Sequence, residues 1–345
     1  MTGRAVPALL LACSLAAASC AGGSDDTVVL LTHESFVLTE EAAEAFRAET
    51  GLSVEVLKAG DAGAVLNQAI LTAGNPVADV IFGIDTTFLS RALDADLLVP
   101  YESPALGTVV PGLAAGPLVT PITFGDVCLN YDRAAFDDGL PPPSRLEDLA
   151  DPAYRDMTVV QDPATSSPGL SFLLATIARF GDEGGYTWRD YWADLAANGV
   201  EVASGWEDAY YGSFSGSGSG GTRPIVVSYA SSPPAEVLFA ETPLTEAPTA
   251  IVTDGCFRQV EYAGILQGTD REVNARLLVD FLLSPEFQED VPLTMFVFPA
   301  VAGTPLPPEF IEHAVVPDAP LALDPEAIET GREAWIEQWA QIVLR

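Results

Sequence analysis

The sequence predicts an α/β fold in which β-strands and α-helices alternate along the chain. Three short runs of β-branched and apolar residues, at 27–31, 54–57 and 79–83, are typical of buried strands. Segments with a helical apolar period separate them, at 39–50 and 63–71. Since strands that alternate with helices form βαβ units, the pattern indicates a parallel sheet.

The first predicted helix carries its own start and stop signals. Thr39 has the side chain of an N-cap, and Gly51 follows the last helical residue as a C-terminal stop. Ala42, Ala45 and Phe46 share one face. The helix 63–71 ends before Gly74-Asn75-Pro76, and another helix is expected near Thr87 after the third strand.

A second group of elements is expected from about Thr120 onward. Its predicted strands lie at 158–160, 225–229 and 256–264. Its predicted helices lie at 146–149, 170–180, 188–197, 274–283 and 331–344, the last containing Trp335 and Trp339. A Gly/Ser run at 212–221 matches G-x-G-x-x-G formally. A strand follows it where a nucleotide site needs a helix, so it is interpreted as a loop.

The N-terminus predicts export and attachment to a membrane through a lipid. Arg4 precedes an apolar run at 5–18, which is shorter than the roughly 20 residues that span a bilayer. The run ends in Ala-Ala-Ala-Ser before Cys20, as in a bacterial lipobox. Residues 1–19 are therefore interpreted as a lipoprotein-type signal peptide, Cys20 as the acylated residue and 20–26 as a flexible tether. An ordinary cleaved signal with an incidental cysteine is the alternative.

Two cysteines remain after this processing, Cys128 and Cys256. An exported chain matures in an oxidising compartment, and two cysteines allow one intramolecular bridge. We expect a Cys128–Cys256 disulfide, with two buried free thiols as the alternative.

Charge and missing motifs argue against several function classes. The chain has 49 acidic and 15 basic residues, a net charge of −34 that repels nucleic acid and anionic membranes. Such charge permits a cationic ligand but is also common for solubility alone. The sequence has no P-loop, H-E-x-x-H, C-x-x-C or G-x-S-x-G motif. With His33 and His313 as the two histidines, no histidine-rich metal site is expected, and no cofactor is expected.

Five segments resemble the thiamine-binding periplasmic proteins of ABC importers, a family among the type II solute-binding proteins. They are LTHESF at 31–36, ADVIFGID at 78–85, QDPATSSPGL at 161–170, GWEDAY at 205–210 and VSYASSP at 227–233. The segment at 281–288 is shared with the wider superfamily. The resemblance extends from about Val28 to Trp339.

The resemblance implies a two-lobed type II periplasmic-binding-protein fold with a two-stranded hinge and a ligand cleft between the lobes. Lobe one would comprise 27–121 and about 256–300, and lobe two about 122–255. The segment 301–345 would pack its terminal helix on the lobes. Cys128 and Cys256 would then lie near the crossing strands. A monomer is expected.

The resemblance also implies a ligand site. Asp61 and Ala62 would contact the ligand after the second strand, and Ser166 and Ser167 would offer hydroxyl groups at a helix start. Trp206 would supply a ring face. The remaining positions are Tyr229, Ala230, Ser231 and Ser232 at a strand end, with His33 and Phe296 where the family often has tyrosine and tryptophan. The alternatives are a solvated Asp61, serines that only cap the helix, and a core Trp206.

By this resemblance the chain is a binding protein, not an enzyme. It would capture thiamine or its mono- or diphosphate and deliver it to an ABC permease coupled to an ATPase. An iron(III) or polyamine binder of the same superfamily is one alternative. A thiamine-degrading enzyme on the same lobes is another, which would need Cys128 as a free nucleophile.

Overall fold

The structure, a computed structural model, describes residues 26–137 and 139–344, which form one mixed β-sheet covered by helices. The strand order in the sheet is β2-β1-β3-β9-β5-β8-β6-β7, while β4 pairs with β9 and β10 with β5. The strands are β1 (Thr27–Thr32), β2 (Ser53–Lys58), β3 (Val80–Asp85), β4 (Leu98–Val99), β5 (Thr120–Asp132), β6 (Thr158–Gln161), β7 (Glu201–Ala203), β8 (Ile225–Tyr229), β9 (Thr249–Leu266) and β10 (Phe298–Pro299).

Helices predicted from the sequence are present, with some boundaries moved. Thr39 caps the first helix by accepting from the backbone N–H of Ala42, and Gly51 ends it in a left-handed conformation, as predicted. The helices are α1 (Glu40–Thr50), α2 (Ala62–Leu71), α3 (Leu89–Asp94), α4 (Ser167–Phe180), α5 (Trp188–Ala197), α6 (Pro233–Leu238), α7 (Glu272–Phe281), α8 (Pro285–Gln288), α9 (Val291–Thr294), α10 (Pro308–His313) and α11 (Pro325–Val343). The predicted helix at 146–149 is a 3₁₀ turn.

The expectation of a parallel sheet is correct only within each half of the sheet. β1 pairs in parallel with β2 and β3, and β6 pairs in parallel with β7 and β8. The long strands β5 and β9 run antiparallel to each other between these halves. A pattern of alternating strands and helices does not indicate the direction of a later strand, such as β9, that pairs with an earlier one. The antiparallel course of β9 was therefore not predicted.

β5 and β9 are the two strands that connect the lobes, as the two-stranded hinge requires. The second half of β9 pairs with β3, while the second half of β5 pairs with β8. Asp126 lies opposite Arg258 where the two strands cross from one lobe to the other. Arg258 binds both carboxylate oxygens of Asp126, at 2.6 and 2.9 Å. This bidentate pair fixes the register of the hinge strands.

The disulfide between Cys128 and Cys256 is present, which confirms the predicted pairing. Both cysteines are buried on the hinge strands, beside Ala230. The bond therefore ties β5 to β9 next to their crossing point. Cys128 is oxidised here, so it has no thiolate to act as a nucleophile.

The last helix, α11, contacts both lobes. Trp339 is fully buried and packs edge-on against Trp192 of α5, with ring centroids 5.5 Å apart. Arg332 donates to the Ser90 hydroxyl of α3 at 2.8 Å. The helix begins six residues before the predicted position 331 because Pro325 and the capping side chain of Asp324 start it there.

The predicted signal peptide, Cys20 and most of the tether lie outside the described residues. Within residues 26–137 and 139–344, no helix is long and apolar enough to cross a membrane. The residue limits assigned to the two lobes remain predictions.

Candidate functional site

A cleft between the lobes collects residues that are far apart in the sequence. Its empty volume, counted together with the open mouth, is about 460 Å³. Loops of the first lobe form the first wall and β9 forms the floor. The start of α4 and the segment after β7 form the second wall. The lining residues are His33, Ser35, Asp61, Ala62, Ser167, Pro168, Trp206, Tyr229, Glu261, Met295 and Val297.

Asp61 forms part of the first wall and contacts the opposite lobe. It is the N-cap of α2, where Oδ1 accepts from the Ala62 N–H at 2.7 Å. Oδ2 accepts from the backbone N–H of Trp206 at 3.0 Å. Gly205 lies so close that an added Cβ would come within 3.3 Å of Oδ2. Asp61 therefore joins the two walls.

Aromatic rings form the second wall. Trp206 stacks on Tyr210 with ring centroids 4.9 Å apart, and its Nε1–H donates to the Ser228 hydroxyl at 2.8 Å. Tyr229 ends β8, and its hydroxyl group accepts from the Gln259 amide at 3.1 Å. These contacts hold the two rings in fixed orientations at the edge of the cleft.

One buried carboxyl group, that of Glu261, lines the floor, and that of Asp85 is buried in contact with Ser167. Burial raises the pKa of Glu261 to about 7, an effect opposed by a hydrogen bond from Thr123 and increased by the charge of Asp61. Burial likewise raises the pKa of Asp85 to about 6, although Ser167 and Thr87 donate to it. Burial lowers the pKa of His33 to about 4, so this imidazole is neutral at pH 7.

The two lobes touch directly across the cleft. Ser35 donates to Glu207 at 3.1 Å, and the Gly63 N–H donates to the Thr165 carbonyl at 3.0 Å. The Ser167 hydroxyl donates to Asp85. Together with the contact of Asp61, these bonds describe a closed arrangement of the lobes.

Several of the residues predicted to bind ligand face the protein interior. Ser231 donates to the Phe296 carbonyl at 2.6 Å, and the Ser232 hydroxyl bonds with that of Ser228 at 2.8 Å. Ala230 is fully buried beside the disulfide. Ser166 is the N-cap of α4 but makes no capping bond, and its buried hydroxyl has no partner among the described residues.

Phe296 lies at the outer mouth of the cleft, away from its floor. There it joins Trp206, Tyr211 and Phe239, with the Phe239 ring 5.6 Å away. Its neighbours in sequence, Met295 and Val297, line the inner cleft, and Met295 also reaches the mouth. The mouth also contains Glu34, Glu207 and Lys58.

The structure brings His33, Asp61, Ala62, Ser167, Trp206 and Tyr229 together, all of which were predicted from the sequence. Ser35, Pro168, Glu261, Met295 and Val297 were missed. Ser35 and Pro168 belong to segments that already carried the resemblance. Glu261 gave no local signal, because it lies within an apolar strand of a chain rich in carboxylates.

Two other features of the sequence have structural roles. The Gly/Ser run at 212–221 forms a loop with a short 3₁₀ turn, followed by β8, as predicted. Tyr210 of the segment at 205–210 is buried, stacks on Trp206 and donates to Glu236. In the described part of the chain, no group of three or more His, Cys, Asp or Glu side chains has the arrangement of a metal site.

Comparison with known proteins identifies similar folds and sequences. The family model described as bacterial extracellular solute-binding protein matches residues 75–324. The chain is 28% identical over 330 residues to the thiamine-binding periplasmic protein of Brucella suis biovar 1 (strain 1330), covering 94% of each. This confirms the resemblance seen in the sequence.

Solved structures show the same architecture. A periplasmic thiamin binding protein has a TM-score of 0.82 at 26% identity, with 92% of this chain and 96% of that chain covered. Iron-bound HitA from Pseudomonas aeruginosa has a TM-score of 0.72 at 22% identity, covering 92% and 99%, a likeness that concerns the fold alone. The two-lobed type II fold is thereby confirmed.

Proposed function

Because this chain belongs to the family of bacterial extracellular solute-binding proteins, we propose that it captures thiamine, or a phosphate ester of thiamine, in the cleft between its lobes. The loaded protein would deliver the ligand to the permease of an ABC importer, which an ATPase drives. The relatives named for thiamine at 28% and 26% identity support this choice of ligand.

One observation carries the proposal: the cleft combines aromatic rings and carboxylates, with no lysine or arginine among its lining residues. Thiamine presents a flat aminopyrimidine, a cationic thiazolium ring and a hydroxyethyl group. Trp206 and Tyr229 provide faces for the rings, and a cation over an aromatic face gains about 0.5–2 kcal/mol. Asp61 would accept from the exocyclic amine or oppose the cation.

The start of α4 would receive the hydroxyethyl end or its phosphate. Ser167 and Pro168 line the cleft at this helix, whose first backbone N–H groups have no partners within the helix. Ser166 places a buried hydroxyl without a partner in the same turn. Of these serines, Ser167 is the one that lines the cleft.

The function as a carrier implies a closed, loaded form and an open, empty form. Ligand that binds both walls shifts the population toward the closed form. The contact between Asp61 and Trp206 and the contact between Gly63 and Thr165 would break on opening. The permease would then recognise the closed arrangement.

Export follows from the family, and we further propose that Cys20 carries the lipid anchor that holds the protein at the outer face of the membrane. Mass spectrometry of the membrane-extracted protein would show diacylglycerol on Cys20. An unmodified Cys20 in that fraction would contradict the anchor without affecting the ligand.

Titration calorimetry of the purified mature protein tests the ligand. Thiamine, its monophosphate and its diphosphate are titrated separately. We expect one-to-one binding of thiamine and no comparable response to iron(III) citrate or spermidine. A clear response to iron or spermidine without one to thiamine would keep the fold and overturn the assignment. Breakdown products after incubation with thiamine would contradict the role as a binder.

A further inference from the structure

Glu261 lies at the floor of the cleft with one carboxylate oxygen unused by the protein. Its Oε2 accepts from the Thr123 hydroxyl at 2.5 Å. Its Oε1 lies 3.6 Å from Nε2 of His33, which is too far for a hydrogen bond. The residue is 8% exposed and lines the cleft. Oε1 is therefore positioned to meet a bound molecule.

The surroundings of Glu261 contain no positive charge to neutralise it. Asp61 and Asp85 add further negative charge. The Tyr229 hydroxyl group is neutral near pH 7, as tyrosine ordinarily is, and burial raises its pKa further. His33, with its pKa lowered to about 4, is uncharged near neutral pH. No Lys or Arg is among the lining residues, so a charged Glu261 lacks a counter-ion in the cleft.

Lys58, the single lysine of the chain, does not supply that counter-ion. Its Nζ donates to the backbone carbonyl of Glu34 at 2.8 Å, and it lies at the outer mouth with Phe296 rather than on the cleft floor. A buried carboxylate without a counter-ion is costly, and a bound cation removes that cost.

We propose that Glu261 is the residue with which the site recognises the positive charge of its ligand. This inference rests on the proposed function and deepens it: the carboxylate opposes the thiazolium, while the rings and Asp61 recognise shape and the aminopyrimidine. A neutral molecule of the same shape would leave Glu261 without a counter-ion. The site therefore selects cations over neutral isosteres by charge.

Ligand binding would also be linked to a proton. Burial in the closed arrangement raises the pKa of Glu261 to about 7, so part of the population of this closed, unliganded form is protonated at pH 7. A cation favours the carboxylate, lowers this pKa and releases the proton. Affinity for the cation rises as pH rises through 7, and falls by up to about tenfold per pH unit below it.

The other titrating groups that face Glu261 do not mask the dependence of affinity on pH near pH 7. His33 stays neutral and Tyr229 protonated between pH 6 and 8, given the directions of their shifts. Asp85, with a pKa of about 6, adds its own dependence mainly below pH 6. The charge of Asp61 raises the pKa of Glu261 and is included in that value.

Two cationic ligands and one neutral ligand test the proposal by calorimetry on the mature protein. Thiamine and pyrithiamine are cations, while 3-deazathiamine is a neutral isostere with a thiophene ring. We expect the wild type to bind both cations at least about tenfold more tightly than the neutral compound. Glu261→Gln is expected to lose about tenfold or more for the cations and less than about twofold for the neutral compound.

Glu236 offers a matched control. It is another buried glutamate whose pKa burial raises to about 7, but it bonds to Tyr210 and Thr249 in the second lobe, outside the cleft lining. Glu236→Gln is expected to retain the preference for cations. This control separates loss of a buried carboxylate in general from loss of the one that meets the ligand.

Proton release gives a readout that a structural role would not move. Titrations at pH 7 in two buffers of different ionisation enthalpy are expected to show a net release of protons when thiamine binds. The release should vanish with 3-deazathiamine and in Glu261→Gln.

An unchanged cation preference and proton release in folded Glu261→Gln would overturn the proposal. If that variant does not fold, equal wild-type affinities for thiamine and 3-deazathiamine, or no proton release, would overturn it. If no thiamine analogue binds at all, the proposed function fails instead.

Discussion

At the residue scale, Asp61 uses both carboxylate oxygens, one to cap α2 and one to hold Trp206 of the opposite lobe. Asp61→Ala removes both bonds. We expect the free energy of unfolding to fall by about 1 kcal/mol from the lost cap. Affinity for thiamine should fall by about tenfold or more, because a hydrogen bond to a charged group contributes about 1.5–3 kcal/mol. Urea unfolding and calorimetry measure the two effects.

Asp61→Asn is the matched control for this change. Asparagine caps helices as well as aspartate does, and its oxygen still accepts one hydrogen bond. We expect near-wild-type stability with an intermediate affinity. Wild-type affinity in Asp61→Ala would show that Asp61 does not connect the lobes in the bound form.

Trp206 provides the second test at this scale. Trp206→Ala removes the ring face and the bond to Ser228, whereas Trp206→Phe keeps a ring and loses only the bond. We expect Trp206→Ala to weaken thiamine binding by about tenfold or more and Trp206→Phe to lose less, since the ring carries most of the contact. Equal affinities for wild type and Trp206→Ala, measured by calorimetry, would place the ligand elsewhere.

The sequence predicted a cleft residue correctly where that residue lies both in a recognisable motif and at the end of a strand or helix. Asp61, Ser167 and Trp206 lie at the ends of strands or helices, where motif and secondary structure coincide, and all three line the cleft. Ser231 has the same type of position, yet its hydroxyl bonds to the Phe296 carbonyl. That partner is brought close only by tertiary packing, which no local pattern encodes.

At the scale of elements, the start of α2 packs so closely on the opposite lobe that only glycine is accommodated. A Cβ added at Gly63 would lie 2.8 Å from the carbonyl oxygens of Ala164 and Thr165. Gly63→Ala should therefore disfavour closure at a cost of about 1–3 kcal/mol, and lower affinity by about 5- to 150-fold. The empty protein should be no less stable, because alanine favours helix more than glycine does.

Calorimetry, urea unfolding and the radius of gyration from X-ray scattering check this prediction. Gly107→Ala is the control, since an added Cβ there meets no heavy atom within 4 Å. A Gly63→Ala protein that binds thiamine like the wild type would refute tight closure at this contact.

The disulfide also acts at the scale of elements. It joins the hinge strands β5 and β9 across 128 residues of sequence. Replacing Cys128 and Cys256 together with serine should lower the free energy of unfolding by about 2–5 kcal/mol. Urea unfolding with and without reductant measures it. The wild type should lose stability in reductant, and the stability of the serine variant should not change. Equal stability of the wild type and the variant without reductant would contradict the prediction.

The prediction of helices and strands succeeded where local signals were strong and failed for the direction and the start of strand β9. The N-cap Thr39 and the left-handed Gly51 defined α1, and apolar β-branched runs located β1 and β8. The antiparallel course of β9, and its start at Thr249 instead of 256, depend on pairing with β5. Such pairing joins residues more than a hundred positions apart, and it produces no periodic pattern in the sequence.

At the scale of the whole molecule, binding should stabilise both lobes together because the cleft residues belong to both. Thiamine at a hundred times its dissociation constant is expected to raise the free energy of unfolding by about 2.7 kcal/mol, if the unfolded chain does not bind it. Urea unfolding with and without thiamine measures this. Spermidine at the same concentration is the control for the net charge of −34, and equal stabilisation by both would indicate a general charge effect.

The central claim is that thiamine binds between the lobes, and a crystal structure of the chain grown with thiamine tests it most directly. We expect the ligand between Trp206 and Tyr229, with its thiazolium facing Glu261 and the Asp61–Trp206 contact in place. An empty cleft at saturating thiamine, or thiamine bound away from these residues, would contradict the account.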